Sequence, residues 1–370
     1  LPPPPRPTQS TSRRQRQMCI RDRHLGIDPM HHPNARGFDA FFGFLKGSHR
    51  YFPEPGKHSL ERDGEPVTAI RTPYLTDWLT LEAIDWSNAE HDAAPWFCYL
   101  AYNTPHTPLQ ARAEDEALFE GVSPAKRRTY CAMQHNLDVN VGRILDALEA
   151  SGQLDDTLIV FLNDNGGSCD ASRAINAPLR GQKSTTLEGG VRVPFLFHWP
   201  AGLPAGETFA HPISSLDLVP TLAAAAGGRD RFVTQPTNPK PHQEDELVRA
   251  GVTRVDGVDL LPYLRGERGD ARPHKTLYWR ISQRGAAIRH DDWKLIRLPH
   301  RAPELFDLAQ DESEQRNLAA EEPGRVRALL ELLHDWECTF ERNPMWQSGV
   351  RWATYNRRLY DREYVLDQPR

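Results

Sequence analysis

The chain contains short runs of apolar residues separated by polar, glycine-rich and proline-rich turns. Two of these runs, at residues 96–102 and 157–163, are bounded by polar residues and are typical of strands that are buried on both faces. Residues 74–86 and 128–151 instead have apolar positions at helical spacing. Strands and helices that alternate in this way predict an α/β fold, with a mostly parallel central sheet flanked by helices.

The pattern changes after residue 228. Residues 229–254 are rich in proline and charge, which is typical of a loop or linker. Residues 255–345 contain short strand-like segments and, at 325–341, an amphipathic helix, so we predict a small C-terminal antiparallel sheet packed against one helix. Residues 346–370 form an aromatic and basic tail without a recognisable motif.

Polar side chains follow the predicted strand at residues 157–163. Asp164 and Asn165 stand at its carboxyl end, and two glycines after them allow the backbone to turn sharply. Ligands of open α/β sheets bind outside the carboxyl ends of strands, and carboxylate and amide oxygens suit calcium or magnesium better than zinc. Asp164 and Asn165 are therefore candidate metal ligands, although a plain turn is the ordinary interpretation of Asp-Asn-Gly taken alone.

A glycine-rich loop follows this turn. Arg180, Lys183 and Arg192 alternate with glycines just before another apolar run at residues 193–199. Cationic groups on such a loop, beside a carboxylate, form a cradle for a tetrahedral oxyanion. The alternative for Lys183 is an ordinary solvated surface lysine.

The motifs DNGG at residues 164–167 and RGQKSTTLEGGVRVP at residues 180–194 resemble the sulfatase family, the formylglycine-dependent branch of the alkaline phosphatase superfamily. The resemblance implies an alkaline-phosphatase-like sandwich. It also implies that Asp164 and Asn165 ligate one calcium ion and that Lys183 holds the substrate sulfate.

Further phrases extend the resemblance from residue 24 to about residue 341. DGVDLLPYL at residues 256–264 and ELFDLAQDESEQRNLA at residues 304–319 resemble the family's carboxyl-terminal subdomain. His274 and Trp279 lie in the same part of the sequence and could reach the substrate from there.

Two histidines complete the catalytic residues that the resemblance implies. His24 opens the phrase HLG, which with GFDAFFGF at 37–44 resembles a segment whose histidine contacts the hydroxyl of hydrated formylglycine. His106 follows the strand predicted at 96–102 in a loop stiffened by prolines, and we expect it at the same sheet edge as Asp164. In the family this histidine contacts the sulfate and assists departure of the alcohol. The alternatives are a surface role for His24 and a structural role for His106.

Residues 1–23 differ in composition from the rest of the chain. They are proline-rich and then basic and lack the apolar segment of a secretory signal, so we predict a non-native or disordered leader. Residues 13–22, RRQRQMCIRD, resemble the conceptual translation of a sequencing adapter, with a nucleic-acid-binding role as the competing interpretation. On the adapter interpretation, a catalytic domain without its N-terminal part covers residues 24–228. Asp22 then replaces a lysine that binds sulfate in the family.

Composition and charge narrow the range of partners. The formal net charge of -5 argues against a general polyanion binder, and the sequence contains no nucleic-acid-binding module. It has no run of about 18 apolar residues that could span a membrane. The five cysteines follow neither a metal-binding spacing nor a dense disulfide pattern. The family resemblance implies a periplasmic or secreted protein.

The leading hypothesis is a sulfuric ester hydrolase that releases sulfate from a sulfated small molecule or glycan, with one calcium ion as cofactor. A phosphate or phosphonate ester hydrolase of the same superfamily is the second hypothesis. A non-catalytic protein that binds sulfated glycans is the third.

The nucleophile of the family is a formylglycine, which the formylglycine-generating enzyme makes from the first residue of C-x-P-S-R or S-x-P-S-R. Neither motif occurs in this sequence. The nearest string, CIRDR at residues 19–23, has Arg21 in place of the proline. We therefore expect the formylglycine to lie in a missing N-terminal part and the chain by itself to be inactive.

Overall fold

The computed structural model describes residues 15–20, 27–89, 91, 94–229, 232–234, 253–281, 285–299, 301–339 and 360, with the backbone alone at 15–20, 232–234 and 253–254. These residues belong to two compact units. The first comprises the described residues up to Asp155 together with Ala171–Arg173, and the second comprises Asp156–Asp170 and the described residues from Ala174 onward. Each unit has its own hydrophobic core.

A five-stranded sheet forms the first unit. Its strands are β1 (Gln15–Ile20), β2 (Ala40–Gly43), β3 (Glu61–Arg62), β4 (Glu65–Pro66) and β5 (Trp96–Leu100), in the order β4-β3-β2-β1-β5. β1 is parallel to both of its neighbours, β2 and β5, whereas β2, β3 and β4 pair antiparallel. Residues 15–20, which the composition assigns to a non-native or disordered leader, thus form a central strand. The adapter origin of this segment stays a prediction.

Three helices accompany this sheet: α1 (Leu75–Ser87), α2 (Ala113–Ala117) and α3 (Ala125–Ala150). The core of the unit packs Trp78 and Leu79 of α1 against Phe42 and Phe44. α1 and α3 match the helices predicted at 74–86 and 128–151, because helical spacing of apolar residues marks the face that must be buried.

Polar side chains also join α1 to α3. Asn136 and Asn140 are fully buried, and both donate to Oδ1 of Asp77, at 3.3 and 2.8 Å. Arg112 donates to the other oxygen of Asp77 at 3.1 Å. Buried polar groups are stable when they are hydrogen-bonded, so this network holds the two helices at one relative position.

The second unit begins with two separate pairs of strands. β6 (Ile159–Leu162) and β7 (Phe195–His198) pair antiparallel, and β8 (Phe232–Thr234) and β9 (Thr253–Val255) pair parallel. The short helices of this part are α4 (Glu188–Val191), α5 (Leu218–Ala225) and α6 (Leu261–Leu264). β6 is half-buried along its length, so the prediction of a strand buried on both faces is wrong for the described residues.

The C-terminal part of the second unit is an antiparallel sheet with one helix. Strands β10 (Thr276–Ile281), β11 (Gly285–His290), β12 (Trp293–Arg297) and β13 (Glu304–Asp307) pair in chain order. Helix α7 (Pro323–Cys338) packs Leu329 and Leu333 against Ile288 and Leu295. The predicted C-terminal antiparallel sheet and helix are confirmed.

The α/β class is also confirmed, but strand partners differ from the expectation. β5 and β6 lie in different sheets, so the prediction that His106 and Asp164 follow strands of one sheet is wrong. A run of apolar residues identifies a strand and does not select its partner, because several strands offer similar apolar faces. The domain boundaries stay predictions. None of the helices in the described ranges is long and apolar enough to cross a membrane.

Candidate functional site

The turn after β6 presents two oxygen-bearing side chains. Asp164 is exposed and Asn165 is half-buried. Asn165 Nδ2 donates to Asp164 Oδ2 at 2.5 Å, which orients the amide relative to the carboxylate. This orientation leaves the amide oxygen and the second carboxylate oxygen for a cation.

The glycine-rich loop lies directly against this turn. The Lys183 N–H donates to the carbonyl of Gly167 at 3.3 Å, and the Gly166 N–H donates to the carbonyl of Gly190 at 3.0 Å. A Cβ on Gly166 would lie 1.8 Å from the carbonyl oxygen of Gly189. Only glycine fits this approach, so the two glycine motifs of the sequence are there to bring the two backbones together.

Two amide side chains reinforce the contact between turn and loop. Asn176 Nδ2 donates to the carbonyls of Gly167 and Gly181, both at 2.9 Å, and its Oδ1 accepts from the Gly167 N–H at 3.0 Å. Gln182 is buried, and its Oε1 accepts from the Cys169 N–H at 2.6 Å. Sequence reasoning missed both residues, since an amide in a polar loop is common and its partners are not visible in the sequence.

The three cations predicted to form an anion cradle have different surroundings. Arg180 donates to the Glu314 carbonyl at 2.8 Å, and exposed Arg192 pairs with Glu312 at 3.3 Å. Lys183 is half-buried and, within the described ranges, makes no ion pair. Lys183 therefore remains as the candidate anion ligand, whereas Arg180 and Arg192 are engaged by the C-terminal part of the chain.

A buried ionic network lies behind the same loop. Lys294 Nζ lies 2.6 Å from Oε1 of Glu188 and 2.8 Å from Oε1 of Glu314. Oε1 of Glu314 accepts no well-aligned hydrogen bond from the described residues, so its contact with Lys294 is ionic. Sequence reasoning missed this network, and the one available signal was a lysine inside the apolar strand WKLIR.

His106 lies in the first unit, in the loop after β5. Its Nδ1 is 2.7 Å from the carbonyl oxygen of Thr107, and its own carbonyl accepts from the Tyr51 hydroxyl at 3.0 Å. A carbonyl can only accept, so Nδ1 carries a proton and Nε2 is the nitrogen through which the ring would act on a substrate. The loop thus sets both the position and the tautomer of His106.

Three further histidines have other roles or positions. His274 Nε2 lies 2.8 Å from Oδ1 of buried Asp217. Trp279, the other residue predicted to reach the substrate from this part of the chain, lies against the buried ammonium of Lys294. His274 and Trp279 thus make internal contacts of the second unit.

Burial lowers the pKa of His49, and its Nδ1 lies 2.6 Å from the carbonyl oxygen of Arg50. His24 lies outside the described residues.

Asp164 and Asn165 fit a hard cation in their chemistry but not in their number. Calcium takes about six to eight oxygen ligands. Within the described ranges no group of three or more His, Cys, Asp or Glu side chains could hold a metal ion. The pair alone is therefore too small for a calcium site, and its role as a pair of metal ligands stays a prediction.

Comparison with known proteins identifies the family. The sulfatase family model matches residues 12–228, a range that begins inside the predicted leader. The uncharacterized sulfatase YdeN of Escherichia coli (strain K12) is 34% identical over 249 residues, covering 67% of this chain and 40% of YdeN. Arylsulfatase J of Mus musculus is 28% identical over 362 residues, covering 85% of this chain and 59% of that protein. The chain spans about half the length of the curated relatives it matches.

Solved structures agree with this result. The crystal structure of Ps i-CgsB has a TM-score of 0.76 and 35% identity, covering 94% of this chain and 76% of that one. Its complex with k-i-k-neocarrahexaose gives a TM-score of 0.77 and 34% identity over the same shares. The fold is that of the alkaline phosphatase superfamily, as the motifs imply. Within that superfamily, the chain belongs to the sulfatase family.

Proposed function

We propose that this protein is a sulfuric ester hydrolase that releases sulfate from a sulfated organic or carbohydrate substrate. Membership of the sulfatase family supports the reaction class. The observation that carries the proposal is the pair of backbone hydrogen bonds that hold the Lys183 loop on the Asp164–Asn165 turn. An anion ligand and a pair of cation ligands are thereby kept within one small substructure.

The proposed cation is one calcium ion on the oxygens of Asp164 and Asn165. When bound, such an ion supplies Lewis-acid stabilisation of charge on the sulfate oxygens. Because two oxygens provide a fraction of the usual ligand set, groups elsewhere in the complete protein must supply the others.

Lys183 and His106 are the proposed catalytic residues of this chain. The Lys183 ammonium pairs with the sulfate group and stabilises the charge that develops on its oxygens as the S–O bond breaks. The electron pair of that bond passes to the alcohol oxygen, and a hydroxyl of the hydrated formylglycine would supply the new bond to sulfur. His106, in its imidazolium form, donates the Nε2 proton to this oxygen, because Nδ1–H already donates to Thr107. His24 is proposed to contact the formylglycine hydroxyl.

Relatives support the proposed substrate class. One similar solved structure holds k-i-k-neocarrahexaose, and one curated relative is an arylsulfatase. Both a glycan and an aryl sulfate are therefore reasonable test substrates. The complete protein is proposed to be exported to the periplasm or secreted, and to receive its formylglycine from the formylglycine-generating enzyme.

The role of Lys183 can be tested in the protein made from its complete coding sequence and co-produced with the formylglycine-generating enzyme. Lys183→Ala should lower kcat/KM on an aryl sulfate by about 10²-fold or more, the usual loss for a preorganised charge-stabilising group. Lys275→Ala, at an exposed lysine of the same unit, is the matched control and should keep full activity.

Other results would assign a different function. A loss below about threefold for Lys183→Ala would return this residue to the role of a surface lysine. Faster turnover of phosphate or phosphonate esters, with zinc or manganese bound, would favour the second hydrolase hypothesis. Binding of a sulfated glycan without turnover would indicate a non-catalytic binding protein.

A further inference from the structure

The buried network behind the loop links three separate elements of the second unit. Glu188 opens α4, Lys294 lies on β12 and Glu314 follows β13. The Lys294 side chain is 0% exposed, and that of Glu314 is also 0% exposed. Charges buried this deeply are stable only while they are paired, because each has lost its hydration.

The charges of this network depend on Lys294. Burial alone would raise the pKa of Glu188, but Lys294, with smaller effects from Arg289 and Arg192, outweighs burial, and the pKa lies below its ordinary value. Burial alone would lower the pKa of Lys294, and the two carboxylates raise it instead. Burial raises the pKa of Glu314, which Lys294 offsets only in part. Lys294 is thus the main cation that keeps Glu188 ionised in the interior, and Arg289, at 3.9 Å from Oε2 of Glu188, adds to its effect.

Glu314 in turn holds the loop on both sides of Lys183. Its Oε2 accepts from the Glu188 N–H at 2.6 Å, and its backbone carbonyl accepts from the Arg180 guanidinium at 2.8 Å. Between these two anchors, the Thr186 N–H donates to the Tyr360 hydroxyl at 2.7 Å. The loop is therefore fixed on one side by the C-terminal part and on the other by the turn after β6.

We propose that Lys294, with Glu188 and Glu314, positions the Lys183 loop for sulfate binding. This inference rests on the proposed function, because it assigns sulfate binding to Lys183. Lys294 is a positioning residue and acts through Lys183. Removal of its ammonium would leave two carboxylates facing each other in the interior, and their repulsion would displace α4 and the loop that precedes it.

A double-mutant cycle tests the proposal in the complete, formylglycine-containing protein. Lys294→Met should lower kcat/KM on an aryl sulfate by about 10- to 10²-fold, since a small displacement of a catalytic group has effects of this size. In the Lys183→Ala background, the same substitution should change kcat/KM by less than about twofold, because its effect passes through Lys183. Losses that multiply would overturn the proposal.

A charge-compensated variant separates positioning from simple stability. Lys294→Met combined with Glu314→Gln restores the buried net charge, so the Tm should recover. The value of kcat/KM should stay low, because Glu188 has lost the ammonium that lies 2.6 Å from its Oε1. Recovery of kcat/KM together with Tm would reduce the network to a stabilising role. Lys294→Arg should recover part of the activity, because it retains the charge.

A readout without turnover distinguishes this inference from the proposed function. If the parent protein fails to hydrolyse sulfate esters, the proposed function is contradicted. Binding of inorganic sulfate, measured by calorimetry, then tests the positioning role directly. Lys294→Met should weaken sulfate binding at least about 10-fold, and Lys275→Ala should not change it. Unchanged sulfate affinity of Lys294→Met would overturn the inference.

Discussion

Gly166 is the residue at which the candidate site has the least space. A Cβ there would lie 1.8 Å from one backbone oxygen of the loop and 3.1 Å from the Cα of Gly190. Backbone atoms cannot rotate away as a side chain can, so the loop and the turn must separate to admit a methyl group.

Gly166→Ala should therefore lower the free energy of unfolding by about 1–3 kcal/mol, the usual cost of overpacking. It should also reduce turnover of the complete protein, because Lys183 moves with the loop. Gly324→Ala, in open space within α7, is the control and should leave the free energy of unfolding unchanged or higher. Denaturant unfolding of both variants tests this prediction, and equal stability of the two would contradict it.

Asp164 is the charged member of the proposed pair of cation ligands, Asp164 and Asn165. Affinity for calcium follows the number and charge of the ligands, so Asp164→Ala should abolish specific calcium binding by the complete protein. Asp156→Ala, at an exposed aspartate of the same unit, is the matched control. Isothermal titration calorimetry gives the affinities. Undiminished calcium affinity in Asp164→Ala would remove this residue from the metal site.

At the scale of elements, helices were more predictable than strand partners. α1 and α3 follow the periodicity of the sequence, since each helix buries one continuous face. Strand β6 also forms where the apolar run predicts a strand. Its antiparallel pairing with β7 depends instead on which strand edge is available to it after folding. The ion-pair partners of Lys294 could not be predicted either, because the local sequence of an apolar strand does not show which residues a lysine within it will contact.

Strand β5 supplies a prediction on pH. Burial raises the pKa of Cys98, on this strand, to about 12. The pKa of the Cys98 thiol is thus higher in the folded protein than its value of 9.0 in the unfolded chain. The contribution of this thiol to the free energy of unfolding is therefore fully present below pH 9.0 and is lost as the pH rises towards 12. At about pH 8, iodoacetamide should alkylate native Cys98 roughly 10²-fold more slowly than the unfolded chain, because the thiolate is the nucleophile.

Mass spectrometry of the alkylated peptides measures this difference. Cys338 is exposed and serves as the internal control. Equal alkylation rates for Cys98 and Cys338 in the native protein would show that β5 is open to solvent on that face.

At the scale of the whole molecule, the 370 residues contain the Lys183 loop and the proposed cation ligands Asp164 and Asn165. They contain no C-x-P-S-R or S-x-P-S-R motif. Without a formylglycine, no hydrated aldehyde is available to attack sulfur. We therefore predict no sulfatase activity for residues 1–370, even when the formylglycine-generating enzyme is co-produced.

The measurement compares this chain with the product of the complete coding sequence on an aryl sulfate and on sulfated glycans. Equal turnover by the two forms would overturn both this prediction and the proposed mechanism. Activity of the longer form alone would agree with a nucleophile outside the 370 residues.

The sequence by itself determined the α/β class, the helices, the C-terminal antiparallel sheet and the turn that carries Asp164 and Asn165. These features depend on neighbouring residues, namely on the period of apolar positions and on glycines that permit sharp turns.

Only the tertiary structure decided which groups support the site. It pairs Lys294 with Glu188 across 106 positions and Arg180 with Glu314 across 134 positions, and it engages Arg180 away from the predicted anion cradle. The physical reason is that the energy of a buried charge depends on the partners that folding brings to it, and local sequence does not specify those partners.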